Sequence, residues 1–274
     1  MISVLILTKN EEFNLPHLME SLVWCDDIVV LDSNSTDSTV AIAQSYGARV
    51  VARNFDNWSA HLNWAGTQIK YKYKWLYYSD ADEVVPEDLK EELLHIAADE
   101  DEQRVAFRLR YKNYFLGKWI RRCGIYPVWV MRFYQPAKLK WERLVNPTAV
   151  VDGTEGNLRS HFLHYSFRKG LFSWFEKHNK YSSDEAVESL KSISSAKSIP
   201  FRSLLPWAPP AQRRVAMKEL SFRMPFRPLL RFIYMYFIKL GFLDGLAGFH
   251  YCVLLSIYEY MIVLKIREKK DSIK

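Results

Sequence analysis

The sequence predicts an α/β domain with a mostly parallel sheet, followed by a C-terminal appendage of amphipathic helices that associates with a membrane. Three observations lead to this prediction. Short apolar runs alternate with helical patterns over the first hundred residues, as expected of βαβ units around a parallel sheet. Clusters of polar residues follow three of the apolar runs. An excess of positive charge is confined to the last quarter of the chain.

Four strands and four helices are predicted in the first hundred residues. We expect Ser35 or Thr36 to cap the second helix and Gly47 to end it, since hydroxyl side chains cap helix starts and glycine follows helix ends. Pro86 suits the first turn of the fourth helix. The predicted strands are residues 2–7, 27–31, 48–52 and 75–78, and the predicted helices are residues 14–22, 36–46, 58–69 and 86–97.

The middle of the chain is richer in aromatic residues and arginine. Strands are predicted at residues 105–111 and 126–134, and a helix at residues 168–190. Serines and prolines between residues 192 and 210 indicate a linker. The sequence therefore changes character twice, once after the alternating βα region and again before the basic tail.

Charge is distributed unevenly along the 274 residues. The chain has 38 Lys and Arg against 31 Asp and Glu, a net charge of +7. Residues 200–274 hold 13 basic and five acidic side chains, so this segment carries +8 and the remainder carries −1. Such asymmetry points to an anionic partner surface, either a membrane or a nucleic acid.

The composition of the tail favours a membrane over nucleic acid, for which no recognised module is present. Two helices are predicted in it, residues 228–240 and 244–266. The longest uncharged run, residues 245–258, has 14 residues, fewer than the roughly 18 to 20 that span a bilayer. We therefore expect the two helices to lie in the membrane interface. The alternative is a buried helical hairpin that closes the domain.

Cysteine usage and the first residues point to the cytosol. Cys25, Cys123 and Cys252 are widely spaced and odd in number, so neither a disulfide framework nor a metal cluster is predicted from them. Residues 1–7 are apolar but have no basic region before them. We therefore interpret them as a buried strand and not as a signal peptide.

The polar clusters after the strands carry the predicted chemistry. They are residues 8–11 (TKNE), 32–37 (DSNSTD) and 79–83 (SDADE). An Asp at the end of a buried strand is costly unless it binds something. Asp80 and Asp82 flank Ala81, and two neighbouring carboxylates attract a divalent cation such as Mg²⁺ or Mn²⁺. The alternative for either Asp alone is a solvated turn or a helix cap.

Residues 2–12 (ISVLILTKNEE), residues 28–50 and the Asp80-Ala81-Asp82 (DXD) segment resemble family 2 glycosyltransferases of the GT-A fold in order and spacing. Within that family the chain resembles the bacterial group that adds sugars to the lipopolysaccharide core or to exopolysaccharide, such as the core β-1,4-glucosyltransferases. The segments that support the narrower resemblance are residues 119–134, 163–165, 178–181 and 241–245. The resemblance covers nearly the whole chain and is most specific in its first ninety residues.

The resemblance implies an inverting, metal-dependent transfer of a hexose from a nucleotide sugar, expected to be UDP-linked, to a lipid-linked glycan. It places the protein at the cytoplasmic face of the inner membrane. It also implies three regions: a nucleotide-sugar half (residues 1–105), an acceptor half (106–195), and the linker with the basic helices (196–274). The residues implied at the nucleotide are Thr8, Asn10, Glu11, Asp32, Ser33, Ser35 and Asn63, with Asp80 and Asp82 binding the metal and the diphosphate.

The chain departs from the family pattern at the catalytic base. Many close relatives carry a His-Glu pair shortly before a Val-Asp-Gly stretch, where this sequence has Asn146-Pro147. Neither residue accepts a proton at neutral pH. The candidate bases are therefore Glu142, Asp152 and His164, and each has a purely structural alternative. The departure also leaves a second hypothesis, a sugar-nucleotide-binding or glycan-binding protein of the same fold that has lost its base.

Two further groups of residues have predicted contacts. His178 is another histidine option for the base, and Arg132 is predicted to pair with a phosphate. Aromatic residues such as Trp58, Trp119, Tyr126 and Trp129 are candidates for stacking on sugar rings, although core packing is the more common role of such residues.

Overall fold

A computed structural model describes residues 1–143, 147–194, 202, 205, 207–209, 212–213, 216 and 226–271. It divides into two compact units. The first unit is Met1–Trp119 with Tyr126–Lys169, and the second is Ile120–Ile125 with Gly170–Lys274. The Asn146 position, most of the predicted linker and most of the basic stretch between residues 202 and 225 lie outside the described residues.

Four parallel strands form the first half of the main sheet. They are β1 (Ser3–Thr8), β2 (Ile28–Asp32), β3 (Arg49–Ala52) and β4 (Leu76–Asp80), in the spatial order β3-β2-β1-β4. Every residue of β1 and β2 is buried, as expected of parallel strands with both faces covered. The predicted α/β fold with a mostly parallel sheet is confirmed.

Four helices accompany these strands: α1 (Leu15–Glu20), α2 (Thr39–Ser45), α3 (Trp58–Gln68) and α4 (Glu87–Ala98). The predicted cap of α2 at Ser35 or Thr36 is wrong, because the helix begins three residues later. Ser35 is instead bound to the carboxylate of Asp32, and the Thr39 amide donates to Asp37 Oδ1 at 3.0 Å. The α3 helix is capped by Asn57, whose side chain accepts from the Ala60 amide at 2.9 Å.

The second half of the sheet is mixed. Within the described residues nine strands form this sheet, and a separate two-stranded sheet pairs β9 with β10. The order continues from β4 through β8, β6 and β11 to β5, with β6 parallel to β11 and β7 on the end of β6. The bounds are β5 Glu83–Val84, β6 Arg104–Phe115, β7 Lys118–Trp119, β8 Trp129–Tyr134, β9 Leu139–Glu142, β10 Thr148–Val151 and β11 Thr154–His164.

Strands β9, β10 and β11 were not predicted from the sequence. In β11 only Leu158 and Phe162 are buried, so the apolar alternation that identifies a strand is weak there. The predicted strand at residues 105–111 extends further, to Phe115, because β7 pairs with its end.

A buried carboxylate, Asp27, ties together the amino-terminal ends of three strands. It accepts hydrogen bonds from the Ser3 hydroxyl (2.5 Å), the Lys72 amide (2.7 Å) and the Arg49 guanidinium (2.8 Å). Burial raises the pKa of Asp27, but these hydrogen bonds outweigh burial and bring the pKa below its usual value.

We expect Asp27→Asn to lower the free energy of unfolding by about 1 to 3 kcal/mol, because a buried acceptor of three donors is lost. A carboxyl group with a lowered pKa in the folded state stabilises the fold above its unfolded pKa of about 4, and that stabilisation is lost as the pH falls. The difference between wild type and variant in urea denaturation should therefore shrink towards pH 3. Asp26→Asn, an exposed neighbour paired with Lys72, is the control and should change little.

The second unit is helical. It contains α5 (Gly170–Ser194), α6 (Arg227–Ile233), a π-helical turn (Tyr234–Ile238), a 3₁₀ turn (Gly241–Asp244) and α7 (Gly245–Asp271). Ala186 of α5 packs with Ile262 and Ile266 of α7. The boundary predicted near residue 195 coincides with the end of α5. This helix belongs to the helical unit, because its apolar face is buried against α7.

Polar contacts also hold the helical unit together. Lys265 Nζ donates to Asn179 Oδ1 at 2.6 Å and to the Ser182 hydroxyl at 2.8 Å. The carboxylate of Asp244, which is buried, accepts from the Arg122 amide at 2.8 Å. Cys123 and Cys252 are free thiols buried in this unit.

One helical segment of the described chain, Gly241–Asp271, is long and apolar enough to cross a membrane by length and composition. A third of its most apolar window is buried inside the molecule. The 14-residue uncharged run is shorter than the apolar part of this helix. Isolated charged residues interrupt the run but leave the mean hydropathy of the helix high.

Candidate active site

The carboxyl ends of β1 and β2 meet at a buried pair of polar side chains. Thr8 and Asp32 are register partners, and the Thr8 hydroxyl donates to Asp32 Oδ1 at 2.7 Å. Asp32 also accepts from the Ser35 amide at 2.7 Å and from the Ser35 hydroxyl at 2.5 Å. Parallel pairing places these side chains at one sheet edge, and the hydrogen bonds fix the orientation of the Asp32 carboxylate.

Two loops meet beside this carboxylate. The Asn10 amide donates to the Ser35 hydroxyl at 2.8 Å, and the Asn10 side chain accepts from the Thr36 amide at 2.8 Å. Asn10 and Asn34 both have positive φ, at 55° and 60°, a conformation that asparagine tolerates better than most residues. Ser33 donates its amide to the Thr8 carbonyl at 2.9 Å. The loops after β1 and β2 therefore form one hydrogen-bonded rim.

Glu11 lies on the same rim but is bound to a lysine that sequence reasoning missed. Lys169 Nζ donates to Glu11 Oε1 and to the Asn10 carbonyl, each at 2.5 Å. Asn14 donates to the other Glu11 oxygen at 2.8 Å. Burial raises the pKa of Glu11, and Lys169 opposes that shift only in part. No sequence pattern linked Lys169 to residue 11, which is 158 positions away.

Arg132 joins two carboxylates at the end of β4. Its Nη2 contacts Asp80 Oδ2 and Glu83 Oε1, each at 2.5 Å, and its guanidinium lies 4.2 Å from the centre of the Tyr78 ring. The Tyr78 hydroxyl donates to Asp80 Oδ1 at 2.7 Å. Arg132 was predicted to pair with a phosphate, and in the structure its buried guanidinium contacts these two carboxylates.

A β-bulge explains how Arg132 reaches this position. In the β6–β8 pairing Phe107 faces Phe133 and Arg108 faces Met131, so Arg132 is the extra residue of β8. Bulges re-aim side chains and are common next to active sites. Glu83 is buried, and burial raises its pKa while Arg132 opposes the shift. The bulge thus delivers a cation to two carboxylates that would otherwise repel each other.

Asp82 is paired with a histidine from β11. Asp82 Oδ2 lies 3.4 Å from His164 Nε2, and the backbone pairing of His164 with Glu83 brings the two side chains together. Burial lowers the pKa of His164, but the nearby Asp82 outweighs burial and the pKa is raised overall. The structure therefore joins a predicted metal ligand with a predicted base candidate.

These donors fit a divalent cation that is also bound by a substrate. Adjacent ligands of an octahedral cation with bonds of about 2.1 Å lie roughly 3 Å apart, close to the separation of Asp82 Oδ2 and His164 Nε2. Both oxygens of Asp80 already accept a hydrogen bond. Across the described ranges no group of three or more His, Cys, Asp or Glu side chains is arranged to hold a metal by itself. Phosphate oxygens of a substrate, together with water, would complete the coordination.

Comparison with known families identifies the family of this chain. Residues 3–157, more than half of the chain, match the sequence profile of glycosyl transferase family 2. The chain belongs to glycosyltransferase family 2. The matched segment contains Asp32, Asp80, Asp82 and Arg132, and it ends within β11.

This glycosyltransferase has relatives that align over nearly its full length. It is 25% identical to the lipopolysaccharide core biosynthesis glycosyltransferase LpsC of Rhizobium meliloti, over 98% of this chain and 92% of LpsC. It is 24% identical to an uncharacterised glycosyltransferase, RT0209, of Rickettsia typhi, over 97% of this chain and 87% of that protein. These relatives support a glycosyltransferase related to lipopolysaccharide enzymes.

The fold also matches a solved glycosyltransferase. The mannosyltransferase PcManGT of Pyrobaculum calidifontis, solved in complex with GDP-Man and Mn²⁺, superimposes with a TM-score of 0.54 at 13% identity. The match covers 98% of this chain and 87% of that chain. It supports the GT-A fold.

The remaining predicted site residues of this glycosyltransferase form no hydrogen bond or ion pair with the strand-end cluster among the residues described. Asn63 uses both ends of its amide on the backbone of Trp141, donating to the carbonyl and accepting from the amide at 2.8 Å each. Glu142 is exposed at the end of β9. Asp152 is exposed and pairs with Lys138 at 3.0 Å. His178 lies in α5, stacked on Trp174 with ring centres 3.8 Å apart.

Proposed function

We propose that this glycosyltransferase moves a hexose from a nucleotide sugar, expected to be UDP-linked, to a lipid-linked glycan of lipopolysaccharide or exopolysaccharide, with inversion at the anomeric carbon. The observation that carries the proposal is the convergence of Asp32, Asp80 and Asp82 at the carboxyl ends of β2 and β4, on either side of β1. The similarity to LpsC supports the acceptor class.

The nucleotide would bind along the rim formed by the loops after β1 and β2. Asp32 is held by Thr8 and Ser35, so its carboxylate is oriented before a ligand arrives. Such a carboxylate accepts from ribose hydroxyls or from a base N–H group. Lys169 lies on the same rim, where its ammonium group would face the negative charge of a nucleoside diphosphate.

Asp82 and His164 would hold the divalent cation, Mg²⁺ or Mn²⁺, with Asp80 beside them. When bound, the cation would neutralise the charge that develops on the departing nucleoside diphosphate. Arg132 keeps Asp80 and Glu83 from repelling each other and fixes the end of β4. The residues of this chain thereby orient the diphosphate end of the donor.

Glu142 is our proposed catalytic base. Asp152 is paired with Lys138, and His164 is paired with Asp82, whereas Glu142 is exposed and forms no ion pair with any residue that the structure describes. Its strand is fixed to α3 by the two Asn63 hydrogen bonds to Trp141. An exposed carboxylate on a rigid strand can take a proton from an acceptor hydroxyl.

A second candidate function is a non-catalytic sugar-nucleotide or glycan-binding protein. The replacement of the relatives' His-Glu by Asn146-Pro147 favours it. The two functions share the nucleotide site and differ only in turnover.

A donor screen tests the nucleotide site. Binding of UDP-, GDP- and dTDP-sugars would be measured by calorimetry with Mg²⁺, with Mn²⁺ and with a chelator. We expect one nucleotide class to bind at least tenfold more tightly than the others, and to do so only with a cation present. Binding that is indifferent to both nucleotide and cation would contradict the proposed site.

The helical unit would hold the enzyme on the cytoplasmic face of the inner membrane. Residues 226–249 present an apolar surface, formed by α6, the turns that follow it and the start of α7. Residues 226–243 of this segment include basic side chains but no acidic one. Its most exposed members are Phe226, Leu229, Phe237, Ile238, Leu243 and Leu246. Exposed apolar groups of this extent mark interaction surfaces, and anionic lipids add about 1 kcal/mol for each nearby basic residue.

The second half of α7 is tied to polar partners. Arg227 pairs with Glu259 of α7 at 2.6 Å, and Lys265 is bound by side chains of α5. The α5 helix is rich in charged residues and is unsuited to a lipid interior. These contacts support a protein that lies in the interface through residues 226–249, in place of one that spans the bilayer through α7.

We expect the double substitution Ile238→Glu with Leu246→Glu to release the protein from membranes, because both side chains are well exposed on the apolar surface. Burying each in lipid is worth about 2 kcal/mol, so flotation with phosphatidylethanolamine–phosphatidylglycerol vesicles should fall at least tenfold. The matched control is Leu171→Glu with Phe172→Glu, two exposed apolar residues of α5. Equal loss in both double variants would contradict the assignment of this surface.

A further inference from the structure

A row of aromatic and cationic side chains crosses three neighbouring strands of the first unit. Trp129 of β8 is the register partner of Arg110 of β6, and Arg110 is the register partner of His161 of β11. Register partners on adjacent strands point to the same face of a sheet, so the three side chains lie side by side. The row lies in the region predicted to bind the acceptor.

Direct contacts connect the row to a second aromatic pair. The Arg110 guanidinium lies 4.8 Å from the centre of the Trp129 ring, and Lys112 Nζ lies 5.2 Å from the centre of the Trp119 ring. Tyr126 packs edge-on against Trp119 and its hydroxyl is 2.9 Å from His161 Nε2. We call Arg110, Lys112, Trp119, Tyr126, Trp129 and His161 the aromatic–cationic row.

The two cations of the row, Arg110 and Lys112, differ from the earlier arginines of β6 in their partners. Arg108, two residues before Arg110 on β6, pairs with Glu155 at 2.8 Å, and Arg104 near the start of the strand pairs with Glu102 at 2.6 Å. Among the residues that the structure describes, neither Arg110 nor Lys112 forms an ion pair. Arg110 donates instead to the Arg159 carbonyl at 2.6 Å. Along β6, the first two arginines are therefore paired with carboxylates, whereas Arg110 and Lys112, which come later in the strand, are not paired with any described carboxylate.

The field of these cations is visible at His161. Burial lowers its pKa, and Arg110 and Lys112 lower it further, against a smaller opposing effect of Asp88 and Glu92. The row lies three residues from the proposed donor site along two strands, and this spacing places His161 on the opposite face of β11 from His164. Trp129 precedes Arg132 by three residues on β8, and His161 precedes His164 by three residues on β11. A group bound on the row would lie at the same edge of the sheet as Asp82.

We propose that the aromatic–cationic row is the acceptor subsite for an anionic sugar, whose ring stacks on Trp129 and whose phosphate or carboxylate is bound by Arg110 and Lys112. The proposal rests on the proposed glycosyltransferase function and specifies its acceptor. Trp129 is 38% exposed, which leaves a ring face open to a ligand. Guanidinium groups bind phosphate and carboxylate in two-pronged geometry, and ammonium groups bind them as point charges.

The row selects a sugar over other anions through its aromatic members. The C–H faces of a pyranose are apolar and suit an aromatic surface, and an anionic substituent on the same ring reaches the adjacent cation. A neutral sugar would use only the aromatic part of the row. The proposal therefore predicts discrimination by charge among sugars that share a ring.

The test uses the full chain and three probes: glucose, glucose 6-phosphate and glucuronate. Binding is followed by ligand-observed NMR with and without saturating UDP and Mg²⁺, so that a probe in the nucleotide site is recognised by its displacement. We expect at least one anionic probe to bind at least tenfold more tightly than glucose, in the presence of UDP. The phosphate and the carboxylate probes distinguish the two sources of negative charge.

Three variants locate the binding. Arg110→Gln with Lys112→Gln should abolish the preference for the anionic probe, and Trp129→Ala should weaken all probes about equally. Arg108→Gln removes a paired cation from the same strand and should leave the preference unchanged. Melting temperature and UDP affinity, measured on each variant, show that the fold and the donor site are intact.

Two results would overturn the subsite. One is equal binding of glucose and both anionic probes to the wild type, and the other is the same loss of preference in the Arg108 variant as in the Arg110–Lys112 variant. Failure of the proposed donor chemistry is recognised separately, because it would abolish UDP binding while leaving the probe preference in place.

Discussion

Replacing Asp82 by alanine should reduce transfer at least a thousandfold while leaving the protein folded. Asp82 lies against His164, and Asp80 is already bound by Arg132 and Tyr78. No other carboxylate in the described structure is paired with His164. Neither His164 nor Asp80 therefore replaces the missing ligand of the proposed cation. Loss of one group that stabilises charge on a leaving group typically reduces turnover 10²- to 10³-fold, and loss of a metal ligand exceeds that.

The measurement is release of nucleoside diphosphate at saturating donor, repeated over a range of Mn²⁺ concentrations. Asp152→Ala is the matched control, because it removes an exposed carboxylate paired with Lys138. Its turnover should stay within a few-fold of wild type. A variant at Asp82 that keeps wild-type turnover and wild-type cation dependence would exclude the metal assignment.

Replacing Arg132 by methionine should strongly destabilise the first unit. It leaves Asp80 and the buried Glu83 facing each other without a cation. Breaking a buried ion pair from one side costs about 3 to 5 kcal/mol, which thermal or urea unfolding would detect. Arg108→Met, which breaks the more exposed pair with Glu155, should cost under about 1 kcal/mol.

A double variant separates stability from activity. Arg132→Met with Glu83→Leu removes both buried charges, and replacing a buried ion pair by apolar side chains is often neutral. We expect stability to recover substantially but transfer to stay low, since Asp80 still lacks its guanidinium partner. Recovery of full activity along with stability would show that Arg132 has no role in positioning the carboxylates of the site.

The strand-end cluster could be predicted because its geometry follows from local patterns. Apolar runs identified β1, β2 and β4, and parallel pairing then required Thr8, Asp32 and Asp80 to lie at one edge. The contacts of Arg132, His164 and Lys169 could not be predicted in the same way. They depend on the register of β8 and β11 and on a bulge, none of which leaves a periodic signal in the sequence.

Two residues outside the strands, Ser35 and Asn63, have hydrogen-bond partners that the sequence did not predict. The start of α2 was misplaced because Ser35 has a stronger partner in Asp32 than the helix could offer. Asn63 was assigned to the nucleotide from the resemblance, and its amide is found bonded to the backbone of Trp141. The Ser35 hydrogen bonds to Asp32 span three residues and the Asn63 hydrogen bonds span 78, and neither set leaves a periodic signal in the sequence.

The most direct test of the central proposal is acceptor-dependent release of nucleoside diphosphate. The wild-type chain would be incubated with its preferred nucleotide sugar, Mn²⁺ and a glycolipid fraction from an envelope with an incomplete core, alongside Glu142→Gln and Asp152→Asn. We expect the acceptor to raise release at least tenfold in wild type and in the Asp152 variant, and Glu142→Gln to lose that increase. Tight donor binding with no acceptor-dependent release in the wild type would contradict the account and favour a binding protein.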